Sequence, residues 1–110
     1  MSFQKAAELL KSHKHIVAVT GAGMSTPSGI PDFRSPETGL WDKFDPDEMP
    51  TLSKFKIDPE GFYNSFKPIL KQILDAKPNP AHKALVQIEK NGMLKSIITQ
   101  NIDMLHHSAG

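Results

Sequence analysis

A short apolar run leads into Thr20-Gly21-Ala22-Gly23, a glycine turn that is the first feature of the chain able to do chemistry. A glycine backbone can approach a phosphate closely, and a helix that starts there offers free N–H groups and the positive end of its dipole. A pyrophosphate is the ligand that such a turn favours. Thr26 stands where the common dinucleotide-binding pattern has its third glycine, and the Gly-Lys-Ser/Thr element of a P-loop is missing. The turn alone leaves an ordinary strand-to-helix turn without a ligand as an equal alternative.

Pro31, Asp32, Phe33 and Arg34 form a second group that could bind a ligand. The arginine could pair with a phosphate or a carboxylate, because its planar guanidinium donates in a fork. The phenylalanine could cover a flat ring, and the proline would hold the turn. The alternative is a surface turn in which an Asp–Arg contact contributes little.

Amide and acid side chains make up a third group, in the order Thr99-Gln100-Asn101-Ile102-Asp103. In open α/β sheets, ligands bind outside the carboxyl ends of the strands. This group and the glycine turn both follow apolar segments that read as strands, so we expect them to face one crevice. Capping of the next helix by Asn101 or Asp103 is the alternative.

The elements that must position these groups are two strands and several helices. Continuous β-branched apolar runs predict fully buried parallel strands at 16–20 and 95–99. Apolar spacing and capping residues predict a helix after the glycine turn and others at 3–13, near 52–56, from 58, at 79–91 and near 103. Pro68 is expected to kink or split the helix that starts at 58. The composition of the rest of 31–58, rich in Pro, Asp, Gly and Ser, predicts a long loop, and such loops are usually functional or mobile.

Two parallel strands with both faces covered cannot form a stable sheet by themselves. The sequence therefore predicts an α/β fold whose parallel sheet, flanked by helices, is incomplete in this chain. Further strands would come from a longer parent chain or from a partner.

Composition narrows the classes of function. A chain of 110 residues is at most one domain, and its net charge of +1 gives no reason to expect a nucleic-acid partner. Without cysteine, the chain has neither disulfides nor thiolate metal sites. No apolar run is long enough for a membrane span or a signal peptide, so a cytoplasmic protein is expected.

Residues 20–34 and 99–103 together closely resemble the sirtuin family of NAD-dependent protein deacylases, and the layout around Pro78-Asn79-Pro80-Ala81-His82 is also similar. The resemblance implies that 1–110 is the N-terminal part of a Rossmann-like, NAD-binding domain. A cofactor-binding loop and a helical insertion would occupy about 31–75. It also implies a smaller zinc-binding module in the whole protein, whose four cysteine ligands this chain does not contain.

The family's chemistry suggests roles for matching residues. Main-chain N–H groups of the glycine turn would hold the pyrophosphate. The 31–34 segment would open the cofactor loop, with Phe33 near nicotinamide. The 100–103 segment would face the ribose and nicotinamide. The implied cofactor-binding residues are Gly21, Ala22, Gly23, Ser25, Thr26, Pro31, Asp32, Phe33, Arg34, Gln100, Asn101, Ile102 and Asp103. The implied partners are NAD and a protein substrate with an acylated lysine.

The catalytic histidine of the family would lie in a segment beyond Gly110, so the chain alone is expected to be inactive, with Asn101 and Asp103 only supporting the chemistry. His106 and His107 are adjacent and would point different ways on a helix, which disfavours a metal site. A hydrolase triad of Ser25, His106 and Asp103 is also disfavoured. The alternatives are a non-catalytic nucleotide-binding module and a subunit completed by another chain.

Overall fold

The computed structural model describes residues 2–32, 45 and 47–110 of the chain. The elements, in chain order, are helix α1 (Phe3–Lys11), strand β1 (Ile16–Thr20), two 3-10 turns (Ala22–Met24 and Thr26–Ser28), helices α2 (Leu52–Ile57), α3 (Pro59–Asp75) and α4 (Pro80–Lys90), strand β2 (Leu94–Thr99) and helix α5 (Leu105–Ala109). Most of the predicted loop, residues 33–44 and 46, lies outside the described residues. No helix in the described ranges combines the length and the apolar character needed to cross a membrane.

Side-chain caps determine where four of the helices begin. Each capping oxygen accepts from a backbone N–H of the first turn, which satisfies a donor that the helix itself cannot pair. The predicted starts of α1, α3 and α4, near residues 3, 58 and 79, are confirmed. The four caps and their donors are Ser2 with Lys5, Thr51 with Lys54, Asp58 with Gly61, and Asn79 with Ala81 and His82.

The sheet consists of β1 and β2, which pair in parallel. Thr20 lies opposite Thr99, so the carboxyl ends of the two strands meet at one edge. The main chain stays paired one residue further, because Gln100 N–H donates to the Thr20 carbonyl at 3.1 Å. Helices α4 and α5 contact each other, and α4 packs against β2. The predicted α/β class with parallel strands is confirmed.

The prediction that both strands are fully buried is wrong for this chain. Val19 is 73% exposed and Ile98 is 59% exposed. Parallel strands become buried on both faces only where helices or further strands cover them. The described residues leave these faces open.

The segment after the glycine turn forms 3-10 turns instead of the predicted helix. Pro27 has no N–H with which to bond the Gly23 carbonyl, so an α-helical turn cannot continue there. The Thr26 hydroxyl donates to that carbonyl instead, at 3.2 Å. Gly29 then ends the segment with φ 88°, a left-handed conformation that glycine adopts without strain.

Pro68 does not split α3, which runs unbroken from Pro59 to Asp75. The ring of an internal proline removes one backbone hydrogen bond. The long apolar face of the helix, which includes the buried Ile69, holds the segment together despite this loss.

Gly61, near the start of α3, supports a first prediction. A Cβ there would overlap the Asp58 carboxylate and lie 3.0 Å from Lys54 Cε. The Gly61 N–H and Lys54 both lower the pKa of Asp58, so the overlap would disturb a favourable cap. Gly61→Ala should therefore fail to give the ~0.5–1 kcal/mol gain expected of alanine in a helix.

A double-mutant cycle by urea unfolding tests this prediction. In an Asp58→Ala background the overlap is absent, and Gly61→Ala should then stabilise by about 0.5–1 kcal/mol. An equal gain in both backgrounds would contradict the proposed overlap.

Candidate functional site

The glycine turn and the polar segment after β2 meet at the sheet edge. Asn101 Nδ2 donates to the Gly21 carbonyl at 2.8 Å and to Ser25 Oγ at 3.3 Å. Asn101 thus links the two strand tips, and the meeting of the two motifs expected from the sequence is observed.

A serine–aspartate contact lies at the centre of this junction. Ser25, which is 1% exposed, donates from Oγ to Asp103 Oδ2 at 2.6 Å. The other carboxylate oxygen, Oδ1, accepts from Leu105 N–H at 2.9 Å. Each carboxylate oxygen can accept more than one hydrogen bond, so Asp103 is oriented by these two donors and can still accept from a ligand.

A cavity of about 160 Å³ opens beside this contact. It is smaller than the roughly 300–1,000 Å³ of a complete small-molecule site, so its size matches only part of a dinucleotide. Its polar lining side chains are those of Ser25, Gln100, Asn101 and Asp103, and four of its apolar ones come from α3. Its lining residues are Ala22, Ser25, Ile30, Pro31, Pro50, Phe62, Phe66, Ile69, Ile73, Gln100, Asn101, Ile102 and Asp103.

The cavity gathers many of the residues that the sequence predicts for the site. Seven of them line it: Ala22, Ser25, Pro31, Gln100, Asn101, Ile102 and Asp103. Four others adjoin the lining residues in the chain without lining the cavity: Gly21, Gly23, Thr26 and Asp32. The remaining two, Phe33 and Arg34, lie outside the described residues.

The glycine turn has room beside it. A Cβ at Gly23 would meet nothing within 4 Å, and a Cβ at Gly21 would meet only Gln100 Oε1, at 3.8 Å. The described residues therefore do not require glycine at either position through their own packing. A phosphate bound closely against the backbone would require it. The turn thus fits the pyrophosphate of a dinucleotide.

Helix α3 contributes apolar lining residues that were not predicted as part of the site. They are Phe62, Phe66, Ile69 and Ile73, which lie on one face of the helix. Phe62 and Phe66 stack with ring centroids 5.8 Å apart. The sequence signal was present in their helical spacing, which indicates a buried face but not which neighbour that face meets.

Asn79 connects the segment after the glycine turn to the start of α4. Its Nδ2 donates to the Met24 carbonyl at 2.8 Å and to Ser28 Oγ at 2.9 Å, while its Oδ1 caps α4. His82 Nδ1 accepts in return from the Asn79 N–H at 3.2 Å. Both side chains are buried, at 6% and 0% exposure. The start of α4 therefore fixes the position of the turn.

Two histidine rings pack in the same region. His106 Nε2 and Thr20 Oγ1 are hydrogen-bonded at 2.8 Å, and the His82 and His106 rings meet edge to face at 5.0 Å. Ser25 bonds to Asp103 while His106 bonds to Thr20, so these side chains have different partners from those a hydrolase triad would require. Burial lowers the pKa of His82, the neighbouring His106 lowers it further, and Asp103 acts in the opposite direction.

The lowered pKa of His82 predicts how stability depends on pH. Because the folded pKa lies below the ordinary value of 6.5, the unfolded chain binds this proton more readily. The free energy of unfolding should therefore fall as the pH decreases below about 6.5, and His82 should have no such effect above it. Urea unfolding between pH 7.5 and 5.5 measures the slope.

His82→Gln is the matched variant, because glutamine at this helix position can keep the capping box while removing the titration. It should flatten the pH dependence. His107→Gln, which alters an exposed histidine, is the control. An unchanged slope in His82→Gln would argue against His82 as the source.

Zinc, which the sirtuin resemblance implies for the whole protein, has no cysteine ligand in this chain. Within 2–32, 45 and 47–110, no three His, Asp or Glu side chains lie close enough to hold a metal ion. These residues do not fit a zinc site.

Comparison with known proteins provides the context for this geometry. The family model of the Sir2 family matches residues 21–110. An NAD-dependent protein deacylase 2 of Archaeoglobus fulgidus is 52% identical over 107 residues, which are 97% of this chain and 42% of the relative. An NAD-dependent protein deacetylase 2 of Caldanaerobacter subterraneus is 51% identical over 98% of this chain and 43% of its own length.

Solved structures of Sir2 proteins share the fold of this chain. A Sir2–p53 peptide–NAD⁺ complex matches 100% of this chain and 42% of that chain, with a TM-score of 0.84 and 41% identity. A Sir2 variant with deacetylated p53 peptide and 3'-O-acetyl ADP-ribose matches 100% of this chain and 44% of that chain, with a TM-score of 0.88 and 43% identity. The chain spans less than half the length of the curated relatives it matches. The family model and these similarities show that the chain belongs to the Sir2, or sirtuin, family.

Proposed function

We propose that this chain forms part of an NAD-dependent protein-lysine deacylase, which transfers an acyl group from lysine to ADP-ribose and releases nicotinamide. The observation that carries the proposal is the contact between Ser25 and Asp103, which both line a cavity next to the glycine turn. Relatives named as NAD-dependent deacylases and deacetylases support the activity.

The glycine turn would bind the pyrophosphate. The first N–H groups of a helical turn have no partner within it, so Ala22 and Gly23 can donate to phosphate oxygens. Gly21 and Thr26 would flank the same group. Ser25 would act differently, because its hydroxyl already donates to Asp103 and holds that carboxylate in place.

The cavity would take the nicotinamide end of the cofactor. Asp103 can accept from the carboxamide NH₂, and Ile102 and the stacked rings of Phe62 and Phe66 offer apolar contact to a flat ring. Because Asn101 donates from Nδ2 to Gly21, a ribose hydroxyl would meet its side-chain oxygen. Gln100 also lines the cavity.

The segment with Pro31, Asp32, Phe33 and Arg34 would open the cofactor loop, with Phe33 near nicotinamide. NAD supplies the leaving group, nicotinamide, and the ribose that accepts the acyl group. The residues of the site would bind and orient NAD. The apolar side chains of α3 would keep water away from the nicotinamide ring. Residues 1–110 would form the N-terminal part of the Rossmann-like domain, with the helical insertion at about 31–75.

The proposed protein partner is a substrate with an acylated lysine. A solved structure of Sir2 bound to an acetylated peptide supports this class of substrate. The cytoplasmic location and the lack of a nucleic-acid partner stay predictions from the sequence.

The test uses the longest natural protein that contains this sequence, incubated with NAD and an acetyl-lysine peptide. Mass spectrometry should show deacetylated peptide, nicotinamide and acetylated ADP-ribose in equal amounts, and no deacetylated peptide when NAD is omitted. Acetate release without NAD consumption would refute the proposal. The 110-residue chain, tested in parallel, is expected to show no deacylation.

A second candidate is a non-catalytic nucleotide-binding module, since the turn and the cavity lie within the same 110 residues. Calorimetry with NAD, ADP-ribose and nicotinamide separates the two. Nucleotide binding by the natural protein without any deacylation would favour the module.

A further inference from the structure

Met104 has φ 61°, the left-handed backbone conformation, and is the one non-glycine residue with positive φ among those the structure describes. This conformation is unfavourable for a residue with a Cβ and persists only where the surrounding structure imposes it. The Met104 side chain is 59% exposed, so packing of its thioether does not explain the conformation. The cause must lie in the residues on either side.

Both neighbours are held firmly. Leu105 is 2% exposed and begins α5, and its N–H donates to Asp103 Oδ1 at 2.9 Å. Asp103 Oδ2 accepts from Ser25 at 2.6 Å. The left-handed turn thus lies between a side chain fixed in the core and a carboxylate that lines the cavity.

We propose that Met104 is a positioning residue whose left-handed backbone sets the Asp103 carboxylate for the carboxamide of nicotinamide. A right-handed or extended backbone at this position would rotate Asp103 relative to Leu105. The carboxylate could then no longer accept from Ser25 and from Leu105 together. This inference rests on the proposed function, because it assigns nicotinamide to Asp103.

Four substitutions in the natural protein separate backbone from side-chain effects. Met104→Gly and Met104→Asn tolerate the left-handed region, whereas Met104→Val, which is β-branched, opposes it. Met104→Ala removes the thioether but keeps the backbone restriction of an ordinary residue. Calorimetry measures ADP-ribose binding first, and then nicotinamide binding at saturating ADP-ribose.

Nicotinamide affinity should stay within about twofold of wild type in the glycine, asparagine and alanine variants and fall about fivefold or more in Met104→Val, given the cost of a left-handed β-branched residue. ADP-ribose affinity should change little in all four, because the glycine turn carries that contact. Gly92→Val is the matched control. It strains a left-handed turn (φ 78°) after α4, away from the cavity, and should lower stability without changing the ratio of the two affinities.

The outcomes distinguish this inference from the proposed function. If the unaltered protein binds neither ligand, the proposed function fails and this inference fails with it. If it binds both and Met104→Val keeps its nicotinamide affinity, or loses both affinities in proportion as a merely destabilised protein would, only the positioning role is overturned. If Met104→Val does not fold, Met104→Gly provides the test. Nicotinamide binding that is weaker in Met104→Gly than in Met104→Ala would then overturn the positioning role of Met104.

Discussion

Replacing Asp103 by asparagine should weaken nicotinamide binding about 10- to 100-fold, which is the usual loss of affinity when a hydrogen bond to a charged acceptor is removed. Asparagine keeps the size of the side chain, and its oxygen can still accept from Leu105 N–H. Its NH₂ group would replace the oxygen that accepts from Ser25, and Ser25 would have to accept instead. The fold should therefore survive while an acceptor for the carboxamide is lost.

Calorimetry at saturating ADP-ribose measures the effect, and kcat for deacylation should fall with it. Asp75→Asn is the matched control, because Asp75 pairs with Lys71 on the exposed side of α3 at 2.7 Å. Nicotinamide affinity equal to wild type in Asp103→Asn would remove Asp103 from the proposed site.

Replacing Asn79 by alanine should lower the free energy of unfolding by roughly 2–4 kcal/mol. Loss of the α4 cap accounts for about 1 kcal/mol, and loss of the donor to the Met24 carbonyl and Ser28 for about 1–3 kcal/mol. The effect is large because Asn79 is 6% exposed and water cannot replace these contacts easily.

Asn79→Asp separates the two contributions, since aspartate keeps the capping oxygen but has no amide donor. Aspartate also places a carboxylate oxygen against the Met24 carbonyl, where neither atom can donate, so Asn79→Asp should lose stability although its cap is kept. ADP-ribose binding should weaken in both variants because the glycine turn loses its support. Asn91→Ala, at the exposed end of α4, should stay within ~0.5 kcal/mol of wild type in urea unfolding. Equal stability of Asn79→Ala and wild type would contradict the support that we assign to this side chain.

The meeting of the two motifs could be predicted because it follows from topology. Parallel strands of one sheet end at the same edge, so the residues after Thr20 and Thr99 were expected at one edge once both strands were recognised. That the two strands are direct neighbours is a finding of the structure. The starts of α3 and α4 could also be predicted from the sequence, because Asp58 and Asn79 accept local hydrogen bonds from residues two or three positions ahead.

Features that depend on distant partners could not be predicted. The face of α3 with Phe62 and Phe66 was evident, but only the tertiary arrangement brings it to the cavity that Asp103 also lines. The His106–Thr20 bond joins residues 86 positions apart and has no sequence pattern. The burial of the strands was mispredicted because apolar composition indicates a tendency to be covered, whereas coverage itself depends on what else packs there.

The long separation between the paired strands also affects how the protein folds during synthesis. β1 ends at Thr20 and β2 begins at Leu94, and at translation rates of roughly 5–20 residues per second the ribosome needs about 4–15 s to make the intervening chain. During that interval the apolar segment Ile16–Thr20 lacks β2, the strand with which it pairs in the structure. A nascent chain that has passed β1 but not β2 should therefore be more prone to aggregation than the complete chain.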